Sequence, residues 1–145
     1  MRNPSIETEI KQIIKIYYLF IGAQLSAGAI FTFIVMKGTN GLGMYGYHTF
    51  LQLFIPLCIA ASFFVRKAYY NKAKSQLPAT LEERLALYKK TIVTCIAITN
   101  LPGAFALVAL FLTGNYYYLN MFVASLFMFI PFVPSVNTFE KDFNP

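Results

Sequence analysis

The sequence predicts an all-α protein: a four-helix transmembrane bundle of two in-out-in hairpins, with both termini in the cytosol. Three observations predict it. Of 145 residues, 57% are hydrophobic and only 12% are charged, outside the usual range of soluble domains. The apolar residues fall in four runs, each close to the ~20 residues that cross a bilayer as a helix. The positive charge is lopsided along the chain. Arg66, Lys67, Lys72, Lys74, Arg84, Lys89 and Lys90 share one inter-helix segment, and Arg2, Lys11 and Lys15 flank the first run. That asymmetry is the signature of cytosolic segments. The net charge of +6 therefore reads as topology and not as a nucleic-acid surface. One membrane domain, residues 1–145, accounts for the chain.

The first element opens at Asn3-Pro4-Ser5, where Ser5 is a cap candidate and Glu7 and Glu9 suit the positive end of the helix dipole. Ile6, Ile10, Ile13 and Ile14 share one face, so a short amphipathic foot leads into a span at about 13–36. A cleaved signal peptide ending near Ala27-Gly28-Ala29 is the rival. The apolar run continues past that point, which favours an uncleaved span. The stretch from Gly38 to Gly43 reads as a glycine-rich outer turn, since it lacks the order of a phosphate-binding loop. Tyr45 and Tyr47 then stand where an interfacial aromatic belt belongs.

The second span runs at about 47–65, and its helix is expected to continue to about Gln76 because no breaker precedes Pro78. Thr80 followed by Glu83 is a capping-box pattern, so the third helix starts there. Leu81, Leu85 and Tyr88 can pack on Ala68, Tyr69 and Ala73, which makes 66–90 a basic helical hairpin in the cytosol. The third span covers about 91–113, with a break expected at Asn100-Leu101-Pro102-Gly103 and a stop at Gly114. The fourth covers about 116–134, ended by Pro131 and Pro134, and a short mixed-charge tail follows. The first and third spans align at an offset of 100 − 24 = 76, which matches Gln24 to Asn100 and Gly38 to Gly114 as a weak parallel repeat.

Leu81 to Lys89, AITNLPGAF (Ala97 to Phe105) and LFLTGN (Leu110 to Asn115) resemble a pattern in a group of small bacterial four-span integral membrane proteins. That pattern reads L-x-x-K-L-x-x-Y-R, then A-L-L-E-G-P-A-L-F, then Y-L-L-T-G-N. Here Asn100 stands in place of its glutamate and Thr94 in place of its arginine. The resemblance covers about a quarter of the chain, as read along the sequence. It implies this topology and a bacterial cytoplasmic membrane, and it implies no activity.

Chemistry at membrane depth usually shows as ionisable groups within spans. No Asp or Glu lies inside any of the four runs. That argues against a proton-driven rotor subunit or carrier. His48 is the single histidine, and Met44, one turn away on the same helix, cannot take the opposite face of a haem. No catalytic triad can be built around one peripheral histidine. Cys58 and Cys95 lie in apolar runs without metal spacing. A membrane-embedded transferase would need arginines around a cofactor, whereas Arg66 and Arg84 group with lysines. The polar residues left at depth are Gln24, Gln52, Thr99, Asn100, Asn120 and Ser125. Gln24, Asn100, Pro102 and Gln52 are the candidates for a buried polar cluster, either interhelical glue or a ligand path. Pro102 matters because it frees the Ile98 carbonyl. The expected role is a non-enzymatic subunit, scaffold or homo-oligomer without cofactor or metal. Its expected partners are membrane lipid and copies of itself or a larger membrane complex. A small-solute or lipid carrier is second, and a membrane-embedded transferase-like enzyme is third.

Overall fold

The computed structural model describes residues 4–37 and 45–144, with helices α1 Pro4–Met36, α2 His48–Ser75, α3 Leu81–Thr113, α4 Tyr117–Phe127 and α5 Val136–Phe143. Short 3-10 turns lie at Tyr45–Tyr47 and Ile130–Phe132. The described residues contain no strand. Helices α1, α2 and α3 are each long and apolar enough to cross a membrane, and the chain is a membrane protein. Arg2, the Ser5 cap, the turn at 38–43, Met44 and the Tyr45 ring lie outside the described positions.

Helix α3 is the hub. Half of its most apolar stretch is buried, against 17% for α1 and 11% for α2. It runs parallel to α1, since Lys89 meets Glu9 at one end, Gln24 meets Asn100 midway, and Phe31 meets Phe111 beyond. It runs antiparallel to α2, with Arg66 beside Thr99 and Phe54 beside Phe105. Helix α4 packs beside it through Phe122 and Ser125.

Local chemistry explains why α3 starts and stops where it does. Thr80 is extended (φ −89°, ψ 148°), and its hydroxyl oxygen accepts from the Glu83 N–H at 3.3 Å. The hydroxyl also donates to the Glu83 carboxylate at 2.8 Å. One half of the expected capping box thus forms, while the glutamate serves the hydroxyl rather than the backbone N–H. The helix ends at Gly114, whose φ of 67° is a left-handed geometry that glycine alone adopts without strain. The expected break at Asn100 to Gly103 does not interrupt it: α3 is continuous through Pro102. A proline removes one N–H but does not end a helix whose neighbours hold it from both sides.

The fourth span departs most from expectation. It is not one helix over 116–134. Helix α4 stops at Phe127, the chain tightens into i to i+3 bonds (Phe129 N–H to Leu126 O, Phe132 N–H to Phe129 O), and α5 leaves at 67°. Pro131 and Pro134 lack the N–H groups that would have continued the ladder. The mixed-charge tail is helix α5, capped by Ser135, which accepts from the Thr138 N–H at 3.1 Å. It swings beneath the α2–α3 turn and buries Phe139 and Phe143 completely. Their rings stand edge-on to Tyr88 at 5.3 and 5.1 Å. Ile6, Ile10 and Ile13 of α1 complete this core. Tyr70 enters it instead of the expected Ala68 and Tyr69, because it sits one position further round α2.

Candidate functional site

A helix broken among apolar helices exposes backbone groups that lipid cannot satisfy. Here three side chains, one from each long helix, reach the break. Tyr17 of α1 donates to the Phe129 carbonyl at 2.9 Å. Arg66 of α2 donates through Nη1 to the Met128 carbonyl at 2.5 Å. Tyr88 of α3 accepts from the Ser135 N–H at 3.3 Å. The break is therefore a built junction, and it carries the one buried full charge among the described residues.

Arg66 departs from the sequence reading. It was expected with the exposed basic residues of the hairpin, yet it is only 1% exposed. Its place on α2 turns it inward toward α3, where Nη1 also donates to Thr99 Oγ1 at 3.1 Å. Its guanidinium carbon lies 3.7 Å from the centre of the Phe132 ring and 5.6 Å from that of Phe63. Stacking of this kind suits a planar delocalised cation. Nε and Nη2 remain buried without a partner.

The other basic residues behave differently. Lys67, Lys72 and Lys90 are exposed. Lys74 pairs with Asp142 at 2.6 Å and thereby ties α5 to α2. Burial alone would raise the Asp142 carboxyl, but the hydrogen bonds from Lys74 and Tyr70 outweigh it and hold it below the usual carboxylate range. Arg84 donates to the Pro78 carbonyl at 2.7 Å and to Asn144 Oδ1 at 3.3 Å, closing the turn. Lys89 meets Glu9 at 3.5 Å.

Of the polar residues predicted to meet at depth, the structure brings Gln24 and Asn100 together. Gln24 Nε2 donates to the Asn100 carbonyl at 3.3 Å, and not to that of Ile98. Gln24 Oε1 and Asn100 Oδ1 are buried without partners. Pro102 is buried on α3 next to Gly103, whose missing side chain makes room for the Gln24 amide and Ser125. Gln52 belongs elsewhere: it donates to His48 Nε2 at 2.9 Å. Asn115 donates to the same nitrogen at 3.3 Å, while His48 Nδ1 lies 2.8 Å from the Tyr118 hydroxyl, which donates to the His48 carbonyl. Two donors on Nε2 fix the proton on Nδ1, so this histidine is a structural knot joining α2 to the start of α4. Asn120 is exposed. Cys58 and Cys95 are free thiols, half-buried and buried. Among the described residues no three His, Cys, Asp or Glu side chains group as metal ligands.

Next to the junction lies a cleft of about 380 Å³ between α2, α3 and the bend, lined on its polar side by Lys67, Tyr70, Asn71 and Thr138 and on its apolar side by Phe63 and Val133. Asp142 also borders it, engaged by Lys74 and Tyr70. Phe132 and Ile92 line both this cleft and a small chamber of about 10 Å³ against Arg66, Tyr17, Cys95 and Thr99. Sequence reasoning missed the junction. The available signal was the pair of prolines at 131 and 134 followed by Ser135-Val136-Asn137-Thr138 and by Phe139 and Phe143 at helical spacing. Set against known protein families, curated proteins and solved structures, the chain matches none.

Proposed function

We propose that this is a multi-pass protein of a bacterial cytoplasmic membrane, crossing four times with both termini and the basic hairpin in the cytosol. In this reading α4, the bend and α5 together make the fourth crossing and its cytosolic foot. The role is non-enzymatic: a scaffold or accessory subunit, as a homo-oligomer or within a larger membrane complex. One observation carries the reading. The mid-depth amides are packed between helices, with Gln24 held between the Asn100 carbonyl and the backbone of Gly103, so the polar groups join α1 to α3. Such bonds act as glue between helices in lipid. The large apolar side chains Leu19, Leu53, Leu57 and Phe64 point outward, available to lipid or to neighbouring helices. A lipid carrier is the second reading, favoured by the broken helix and the cleft beside it.

Two measurements test the proposal. Purification in mild detergent after cross-linking, with mass spectrometry of what co-purifies, is expected to return a defined partner or a fixed copy number. A chain that runs as a bare monomer would sink the scaffold reading. For topology, Cys58 and Cys95 are replaced by alanine and single cysteines are placed at Ser75 or Tyr116. An impermeant thiol reagent on intact cells is expected to label the cysteine at Tyr116 and spare that at Ser75. The opposite pattern would invert the orientation.

A further inference from the structure

We propose that Arg66 is the buried end of a binding site for an anionic amphiphile, a molecule with one phosphate or carboxylate group on an apolar chain. The observation that demands it is an unbalanced charge. Arg66 is almost wholly buried, and both acceptors it reaches, Thr99 Oγ1 and the Met128 carbonyl, are neutral. The ion pairs of the described residues join Lys11 to Glu7, Lys74 to Asp142 and Lys89 to Glu9, and none reaches Arg66. A guanidinium has five N–H donors in a fixed fork, and the three on Nε and Nη2 are buried without an acceptor. Removing a full charge from water without a counter-charge is strongly unfavourable, and that fork matches the paired oxygens of a carboxylate or phosphate.

The surroundings supply a route and a class of ligand. Arg66 lines the small chamber, whose volume of about 10 Å³ holds no more than one water-sized group. Phe132 and Ile92 are the two residues that line both that chamber and the larger cleft. Phe132 sits in the short turn between Pro131 and Pro134, outside the long helices, so its ring can turn without unwinding α2 or α3. Once it turns, an acidic group entering the cleft meets Arg66 at the back and Lys67 at the mouth. The rest of the ligand is apolar because the rim is: Phe63 of α2 and Val133 of the bend line the cleft and are 38% and 45% exposed. A membrane phospholipid and a free long-chain acid share this chemistry. The site does not depend on whether the chain has a protein partner, because pull-down reads the partner and lipid titration reads the site.

The test is thermal unfolding of the full chain in an uncharged maltoside detergent. The probes are short-chain phosphatidylglycerol, short-chain phosphatidylcholine, laurate and inorganic phosphate. Phosphatidylglycerol or laurate is expected to raise Tm by several degrees, phosphatidylcholine and inorganic phosphate to leave it unchanged. Whichever of the first two acts names the source. Arg66→Met should abolish the shift, and Phe132→Ala, by joining chamber and cleft, should lower the ligand concentration for half-maximal effect several-fold. Equal shifts with phosphatidylglycerol and phosphatidylcholine, no shift with either acid, or a full shift with inorganic phosphate alone overturns the proposal. These wild-type comparisons decide the matter even if Arg66→Met does not fold. A shift that survives in a folded Arg66→Met protein overturns it as well.

Discussion

Phe139→Ala is expected to destabilise the protein by about 3–5 kcal/mol, the largest loss for any single truncation at the basic end. Phe139 and Phe143 have no exposed surface, and both rings stand edge-on to Tyr88. In the proposed topology their burial removes apolar surface from water, because α5 is then the cytosolic foot beneath the α2–α3 turn. Within lipid the same truncation would cost less, since helices there gain nothing by hiding apolar surface from acyl chains. The edge-on pairs add about 0.5–1.5 kcal/mol beyond area. Chemical unfolding in detergent, with amide exchange over 136–143, checks it. The helix should exchange fast in the variant and slowly in the parent. Unchanged exchange there would show that α5 does not dock. Acid should act in the same direction more gently. The Asp142 carboxyl is held below its usual range, so its contribution is present above the ordinary carboxylate pKa and is lost as pH falls through the depressed one.

Gly103→Val should cost about 1–3 kcal/mol from overpacking, plus about 0.6–1.7 kcal/mol if the Gln24 bond is lost. A Cβ at Gly103 would stand 2.7 Å from Ser125 Oγ and 2.9 Å from Gln24 Nε2, so the Gln24 amide and the Ser125 hydroxyl must shift, and the further methyls of valine press on α1 and α4. Gly22 is the internal control: it is on α1, and a Cβ there meets nothing within 4 Å. Gly22→Ala should be neutral or stabilising by about 0.5–1 kcal/mol, since alanine restricts the unfolded chain and favours helix. Thermal unfolding of the two variants side by side measures the contrast. If both move stability alike, close approach at Gly103 is not what joins α1, α3 and α4.

What the sequence by itself determined is what local chemistry and apolar run length determine. The helical class, the three long membrane-length helices, the Thr80 start and the Gly114 stop all follow from residues adjacent in the chain. A cap needs only its own first turn, and a left-handed stop needs only its glycine. The tertiary structure decided the rest. Arg66 looks like its lysine neighbours in sequence, but its register on α2 turns it toward Thr99 and toward the Met128 carbonyl, 62 residues away. The fourth helix breaks at prolines that the sequence displays, yet a break is stable only because Tyr17, Arg66 and Tyr88 arrive from three other helices to satisfy it. The tail holds two phenylalanines at helical spacing, and only Tyr88, some fifty residues earlier, together with Ile6, Ile10 and Ile13 of α1, makes them core. Pairings across such distances depend on how helices rotate about one another, and no local pattern encodes that angle.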